Sequence, residues 1–234
     1  MATERIERWL GRHELGVLLS MGALAASLWL FVAVAEEVTE GDTRAIDRRL
    51  LLALRNPENL SHPIGPPWLA EAGRDLTALG GVAVLSLASL AVIVHFLLAR
   101  QVRVAGFVAA CVSGGLTLSL ILKHAFGRAR PDLVPQLSYV TSSSFPSGHS
   151  MLSAVVYLTL GALLARFQPA LVLKAHVLAW AILLTLLVGV SRVYMGVHWP
   201  SDVLAGWAAG AAWAALCWLA ARGLQRLGKI DFDR

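Results

Sequence analysis

Long apolar runs dominate the chain, and strictly alternating segments do not. Runs close to bilayer-spanning length, about 20 residues, recur at roughly 15–34, 76–98, 104–122, 151–164, 176–190 and 203–221. The fourth and fifth are short by apolar count and reach full span by taking in polar residues at one end. The pattern predicts an all-α fold: a polytopic bundle of six transmembrane helices, forming a single domain over 1–234. The first run has a basic flank (Arg5, Arg8, Arg12), and Ala33-Val34-Ala35 resembles a cleavage site. Its apolar stretch exceeds that of a secretory signal, so it is read as an uncleaved span.

Residues 36–74 form the one long polar connection. Within it Ile46, Leu50, Leu51 and Leu54 recur at helical spacing, with Arg44, Asp47, Arg48 and Arg49 interleaved. This predicts an amphipathic interfacial helix between the first and second spans, lying on the membrane surface or packed on the bundle. The segment Ser61-His62-Pro63-Ile64-Gly65-Pro66-Pro67 is expected to end it as a rigid turn.

Composition agrees: 57% of residues are hydrophobic, 15% are charged, and the mean hydropathy is +0.65. A net charge of +5 and a pI near 9.8 raise the question of nucleic acid. The bases are scattered between apolar runs, so anionic lipid headgroups are the expected partners instead. Cys111 and Cys217 lie inside apolar stretches and read as buried core, and no Cys/His spacing suggests zinc. With both termini inside, eleven of the twenty Lys and Arg fall on the cytoplasmic side and nine opposite. This bias favours N-in, C-in and places the loop around Ser138 outside. Gly206 and Gly210 form a GxxxG pair, suited to a dimer face or to close packing within the bundle.

Three polar clusters fall where such a bundle has no ordinary use for charge, at span ends that share the outer face. They are Lys123 to Pro131, Ser144 to His149, and Ser191 to Asp202. Lys123, Arg130 and Arg192 supply three fixed positive charges, matching a phosphoryl group whose transition state spreads charge over its equatorial oxygens. Ser147-Gly148 opens a helix, where free N–H groups favour an anion, and glycine lets backbone approach closely. His198 and Asp202 are four apart, so on a helix they share a face. Asp202 then accepts the Nδ1–H of His198 and leaves Nε2 to attack phosphorus. His149, from another cluster, is placed to act as general acid. Each cluster alone has a plain reading: a surface pair, a basic helix end, a helix start, an arginine reaching to headgroups. His124 and Arg128 read as structural or headgroup-facing, and the tryptophans as interface anchors or core. No metal and no cofactor are expected.

Together the clusters resemble the signature of the type 2 phosphatidic acid phosphatase (PAP2) superfamily: K-x6-R-P, then P-S-G-H, then S-R-x5-H-x3-D. Every position matches across 123–202: Lys123, Arg130-Pro131, Pro146-Ser147-Gly148-His149, Ser191-Arg192, His198 and Asp202. The resemblance implies a lipid phosphatase working through a phosphohistidine on His198. Asp202 would orient it, His149 would be the acid, and Lys123, Arg130, Ser147, Gly148 and Arg192 would hold phosphate. For the substrate it implies a lipid phosphate of a bacterial inner membrane. Undecaprenyl diphosphate comes first, for an outward-facing site; phosphatidylglycerophosphate, phosphatidic acid and lipid A phosphate are the alternatives. A lipid-phosphate binding or transport protein is the non-enzymatic reading, against which the paired histidines weigh.

Overall fold

The computed structural model describes residues 2–134 and 143–231, with side chains from residue 15 onward. Ser138, Arg234 and the side chains of Arg5, Arg8, Trp9 and Arg12 lie outside the described residues. Helix α1 (Ala2–Glu40) overruns its apolar stretch at both ends and stops at Gly41, whose φ of 91° suits glycine. Helix α2 (Arg44–Ala53) is the expected amphipathic helix. It resolves the two readings by serving both: Ile46 and Leu50 face outward, while Asp47 and Leu51 are buried against the bundle.

Among the described residues the all-α architecture holds apart from one small sheet. Strands β1 (Arg55–Asn56) and β2 (Asn59–Pro63) form a small antiparallel hairpin where the sequence suggested only a turn. The side chains of Asn56 and Asn59 fold it, accepting from the N–H groups of Glu58 and Ser61 at 2.9 and 3.0 Å. Such local asparagine bonding leaves no hydrophobic alternation to read.

The second span is likewise not one straight helix from 76. Helices α3 (Pro67–Ala78) and α4 (Val82–Leu98) meet at a 47° bend. A Cβ at Gly80 would lie 2.3 Å from Val188 Cγ1 and 3.3 Å from the His149 carbonyl. Glycine therefore lets the bend press against the start of the fourth span. The remaining spans are α5 (Val102–Phe126), α6 (Gly148–Arg166, with a π turn at Ala154–Leu158), α7 (Leu171–Tyr194) and α8 (Pro200–Arg226). Among the described residues five helices are long and apolar enough to cross a membrane, or six with the bent pair taken as one span.

Helix α8 is the axis on which α1, α6 and α7 pack. Its buried face is made of small residues, Ala205, Gly206, Ala208, Ala209, Gly210 and Ala212, while large apolar side chains such as Leu87, Leu171 and Val172 point outward. This is the arrangement lipid favours, since burying leucine gains little against hydrocarbon and close backbone packing gains more. The GxxxG pair is used inside the bundle: a Cβ at Gly206 would lie 2.7 Å from the Ser147 carbonyl, and one at Gly210 2.5 Å from that of Met151. Trp207 and Trp213 donate across helices to Thr185 and Cys111 carbonyls, whereas Trp29, Trp68 and Trp180 are exposed. Cys111 and Cys217 are buried free thiols.

Candidate active site

The three clusters meet at one end of the bundle. Helix α5 ends at Gly127, left-handed at φ 56°, which turns the following segment across the first turn of α8. Arg130 lies on this segment and donates from Nη1 to the Val197 carbonyl at 2.7 Å and to His198 Nε2 at 3.0 Å. Lys123 reaches up from the last turn of α5, its Nζ 2.9 Å from the Ser143 carbonyl, to which Arg130 also donates at 3.4 Å. A Cβ on Gly148 would sit 3.0 Å from Lys123 Cε, so glycine there leaves room for the lysine.

His198 and Asp202 pair as expected, with Nδ1 to Oδ2 at 3.3 Å, but not on a shared helical face. His198 precedes α8, Trp199 caps it, and Pro200 fills its first position without losing a hydrogen bond. Asp202, at the third helical position, turns back to accept from the Trp199 N–H at 2.9 Å. The same carboxylate accepts from Ser144 Oγ. The cap therefore sets the distance that the four-residue spacing suggested. Both side chains are buried, His198 to 1% exposure and Asp202 to 0%.

Arg192 and His149 complete the cluster. Both lie within electrostatic reach of His198, and His149 also of Lys123 and Arg130. Arg192 is 1% exposed, yet none of its three guanidinium nitrogens has a hydrogen-bond partner among the described residues. A buried cation left in that condition is costly, and an anion that accepted its hydrogen bonds would offset the cost. Its neighbour Ser191 bonds Thr77 at 2.6 Å, tying α7 to the bent α3. Ser147, expected to hold phosphate, is a helix cap in the structure. Its hydroxyl caps α6, accepting from the N–H and hydroxyl of Ser150 at 3.4 and 2.9 Å, while its own N–H donates to the Asp202 carbonyl at 2.9 Å.

Two comparisons bear on the branch. Phosphatidylglycerophosphatase B of Bacillus subtilis (strain 168) is 38% identical over 149 residues, 63% of this chain and 72% of that protein. The crystal structure of a transmembrane PAP2-type phosphatidylglycerolphosphate phosphatase from Bacillus subtilis superposes with a TM-score of 0.74 at 28% identity, covering 90% of this chain and 98% of that one. The model of the PAP2 superfamily matches residues 103–226. The chain belongs to the PAP2 superfamily, in its membrane lipid phosphatase branch. Lipid A 1-phosphatase of Rhizobium johnstonii is also similar, 40% identical over 108 residues, 42% of this chain and 40% of that protein. The non-enzymatic reading is set aside accordingly.

Other features of this PAP2 protein escaped the sequence. Arg128 takes the structural one of its two readings, with partners that no local spacing marks. It donates to Asp202 Oδ1 at 2.6 Å and to Asp47 Oδ2 at 2.8 Å. Asp47 and Ser144 carried no spacing that marked them, because their partners lie 154 and 58 residues away. Among the described residues no three His, Cys, Asp or Glu gather as a metal-holding group. An apolar recess of about 630 Å³ between α4, α6 and α7 contains none of the signature residues.

The unpartnered guanidinium gives a stability test. Arg192→Met removes a buried cation without removing a protein hydrogen bond, so thermal unfolding of the detergent-purified protein should shift upward or stay level, by up to about 4 kcal/mol. A loss of stability of several kcal/mol would contradict the geometry, because it would reveal a protein partner for Arg192.

Proposed function

We propose that this chain removes the terminal phosphate of a membrane lipid through a phosphohistidine on His198, with phosphatidylglycerophosphate as substrate. The setting of His198 carries the reading. Its Nδ1 faces Asp202 and its Nε2 faces the guanidinium of Arg130, with Arg192 in the same cluster. A proton held on Nδ1 leaves the Nε2 lone pair for phosphorus.

In the first step His198 Nε2 bonds to phosphorus as the phosphorus–oxygen bond to the lipid breaks. His149 gives its proton to the departing oxygen. Lys123, Arg130, Arg192 and the backbone at Gly148 meet the three equatorial oxygens, in surroundings where charge–charge attraction is stronger than in water. Ser147 shapes this cradle by capping α6, and its hydroxyl hydrogen is left to donate to a phosphate oxygen. In the second step water bonds to phosphorus and loses a proton to His149. The nitrogen–phosphorus bond breaks, and inorganic phosphate leaves with both histidines restored. The three cations supply the positive charge that metal ions supply in other phosphatases.

The substrate choice rests on the similarity to phosphatidylglycerophosphatase B of Bacillus subtilis. Undecaprenyl diphosphate, the first expectation, shares the terminal phosphate and belongs in the same assay. We infer that the site faces outward from a bacterial inner membrane with both termini inside, as the basic residues favour. Of the nine bases assigned outside, Arg55, Lys123, Arg128 and Arg130 bond within the protein and Arg192 is buried. That leaves Arg44, Arg48, Arg49 and Arg74 exposed on that side and, among the described residues, Arg100, Arg103, Arg226 and Lys229 exposed on the other, so the orientation rests on the eleven-to-nine count over the whole chain.

Phosphate release should be fastest from phosphatidylglycerophosphate when it is compared in micelles with phosphatidic acid, undecaprenyl diphosphate and lipid A 1-phosphate. His198→Ala should lower kcat by about a thousandfold or more. A folded His198→Ala retaining about a tenth of turnover is incompatible with the nucleophile, and faster release from another lipid changes the substrate.

Burial pulls the His198 imidazole down to about 4, against the opposing hydrogen bond to Asp202, so the ring is neutral at neutral pH. Protonation below that point removes the attacking lone pair, and kcat/KM should fall as pH drops through about 4. In kcat, which reports the substrate complex, the alkaline side should fall as His149 loses the proton it donates to the leaving oxygen, giving a bell. A flat profile from about pH 3 to 10 with chemistry rate-limiting would count against both roles.

A further inference from the structure

Asp202 has two oxygens, and the structure divides them. Oδ2 serves His198, the Trp199 N–H and Ser144. Oδ1 takes the Arg128 guanidinium at 2.6 Å. Arg128 does not belong to Asp202 alone. Its other nitrogen meets Asp47 Oδ2 at 2.8 Å and Thr43 Oγ1 at 3.2 Å, both from the segment of the surface helix α2. Asp47 is 1% exposed and is further held by Ser201, whose N–H and hydroxyl reach it at 2.9 and 2.6 Å. Ser201 also accepts from Arg128 Nη1 at 2.8 Å. One guanidinium thus forks between two buried carboxylates, with the first turn of α8 clamped between them. The planar fork suits this task, since each arm fixes one carboxylate.

We propose that Arg128 and Asp47 are positioning residues for the reaction: Asp47 on α2 holds Arg128, and Arg128 fixes Asp202 against His198. The proposal rests on the reading of His198 as nucleophile. When Nε2 bonds to phosphorus with the proton still on Nδ1, the ring becomes cationic. Asp202 then stabilises that charge only as far as its own negative charge is free to act. A lone Arg128 would neutralise Asp202. Asp47 supplies the second negative charge, so the Asp47–Arg128–Asp202 group keeps a net charge of −1 facing the imidazole. The same bonds stop the Asp202 carboxylate from rotating and exchanging its oxygens. None of these groups is placed to touch the phosphate, so the effect belongs in kcat rather than KM.

The test is a double-mutant cycle on purified full-length protein, with phosphatidylglycerophosphate in detergent micelles. Asp47→Asn should lower kcat by about tenfold, within the range of coupling inside one hydrogen-bond network, with KM changed by less than about twofold. Asp202→Asn should lower kcat further, and Asp47→Asn/Asp202→Asn should be no slower than Asp202→Asn, because the path through Asp202 is already cut. Losses that multiply across the pair would show that Asp47 acts independently of Asp202 and would overturn the proposal. So would wild-type kcat in Asp47→Asn, or a loss expressed in KM alone. If Asp47→Asn does not fold, Arg128→Lys answers the same question. It keeps the charge but cannot fork between two carboxylates, and the same cycle with Asp202→Asn applies. His198→Ala run alongside separates the two levels. An active His198→Ala removes the nucleophile reading itself, whereas an inactive His198→Ala beside a fully active Asp47→Asn removes only this proposal.

Discussion

A carboxylate enclosed among membrane helices loses its hydration, and several charge-assisted hydrogen bonds are needed to offset that loss. Asp202 receives them from four directions: the Trp199 N–H, Ser144, Arg128 and His198. Its backbone carbonyl takes a fifth bond from the Ser147 N–H. Those donors come from the segment after α5, the start of α6 and the start of α8. Satisfying one buried charge therefore brings the three motif blocks to one point. The cations need not find one another directly, which their mutual repulsion would oppose.

Such convergence needs helices closer than ordinary side chains permit. Gly206 and Gly210 let α6 lie almost on the backbone of α8, and Gly148 leaves space for Lys123 to rise past it. Gly80 lets the bend between α3 and α4 settle against His149. Against that tight framework stands Arg192, a buried guanidinium without a hydrogen-bond partner among the described residues. The packing contributes stability, and the site gives some of it up to hold positive charge in place before substrate arrives. Such preorganised charge is an effective form of electrostatic catalysis, because little rearranges at the moment of reaction.

Much of this was legible in the chain. Apolar runs marked the spans, since lipid requires long uninterrupted helices. Charges at three span ends marked the site, since buried charge at such depth is seldom incidental. Where local rules failed, longer-range structure had decided. The second span bent because Gly80 meets α6 and α7, which no local pattern records. The hairpin at 55–63 folds on asparagine side chains rather than on alternation. The four-residue spacing of His198 and Asp202 foretold their contact for the wrong reason, since a helix cap brings them together. Arg128 looked like one more basic residue near a membrane surface because its two acidic partners are 81 and 74 residues away in sequence.

The account turns on a covalent bond between His198 and phosphorus. It is tested most directly by mixing the protein with phosphatidylglycerophosphate radiolabelled in its terminal phosphate and quenching in alkali within milliseconds. The account predicts label on the wild-type protein that survives alkali, is released by acid, and maps to His198. It predicts none on His198→Ala. Label on another residue, or equal label on His198→Ala, would contradict it.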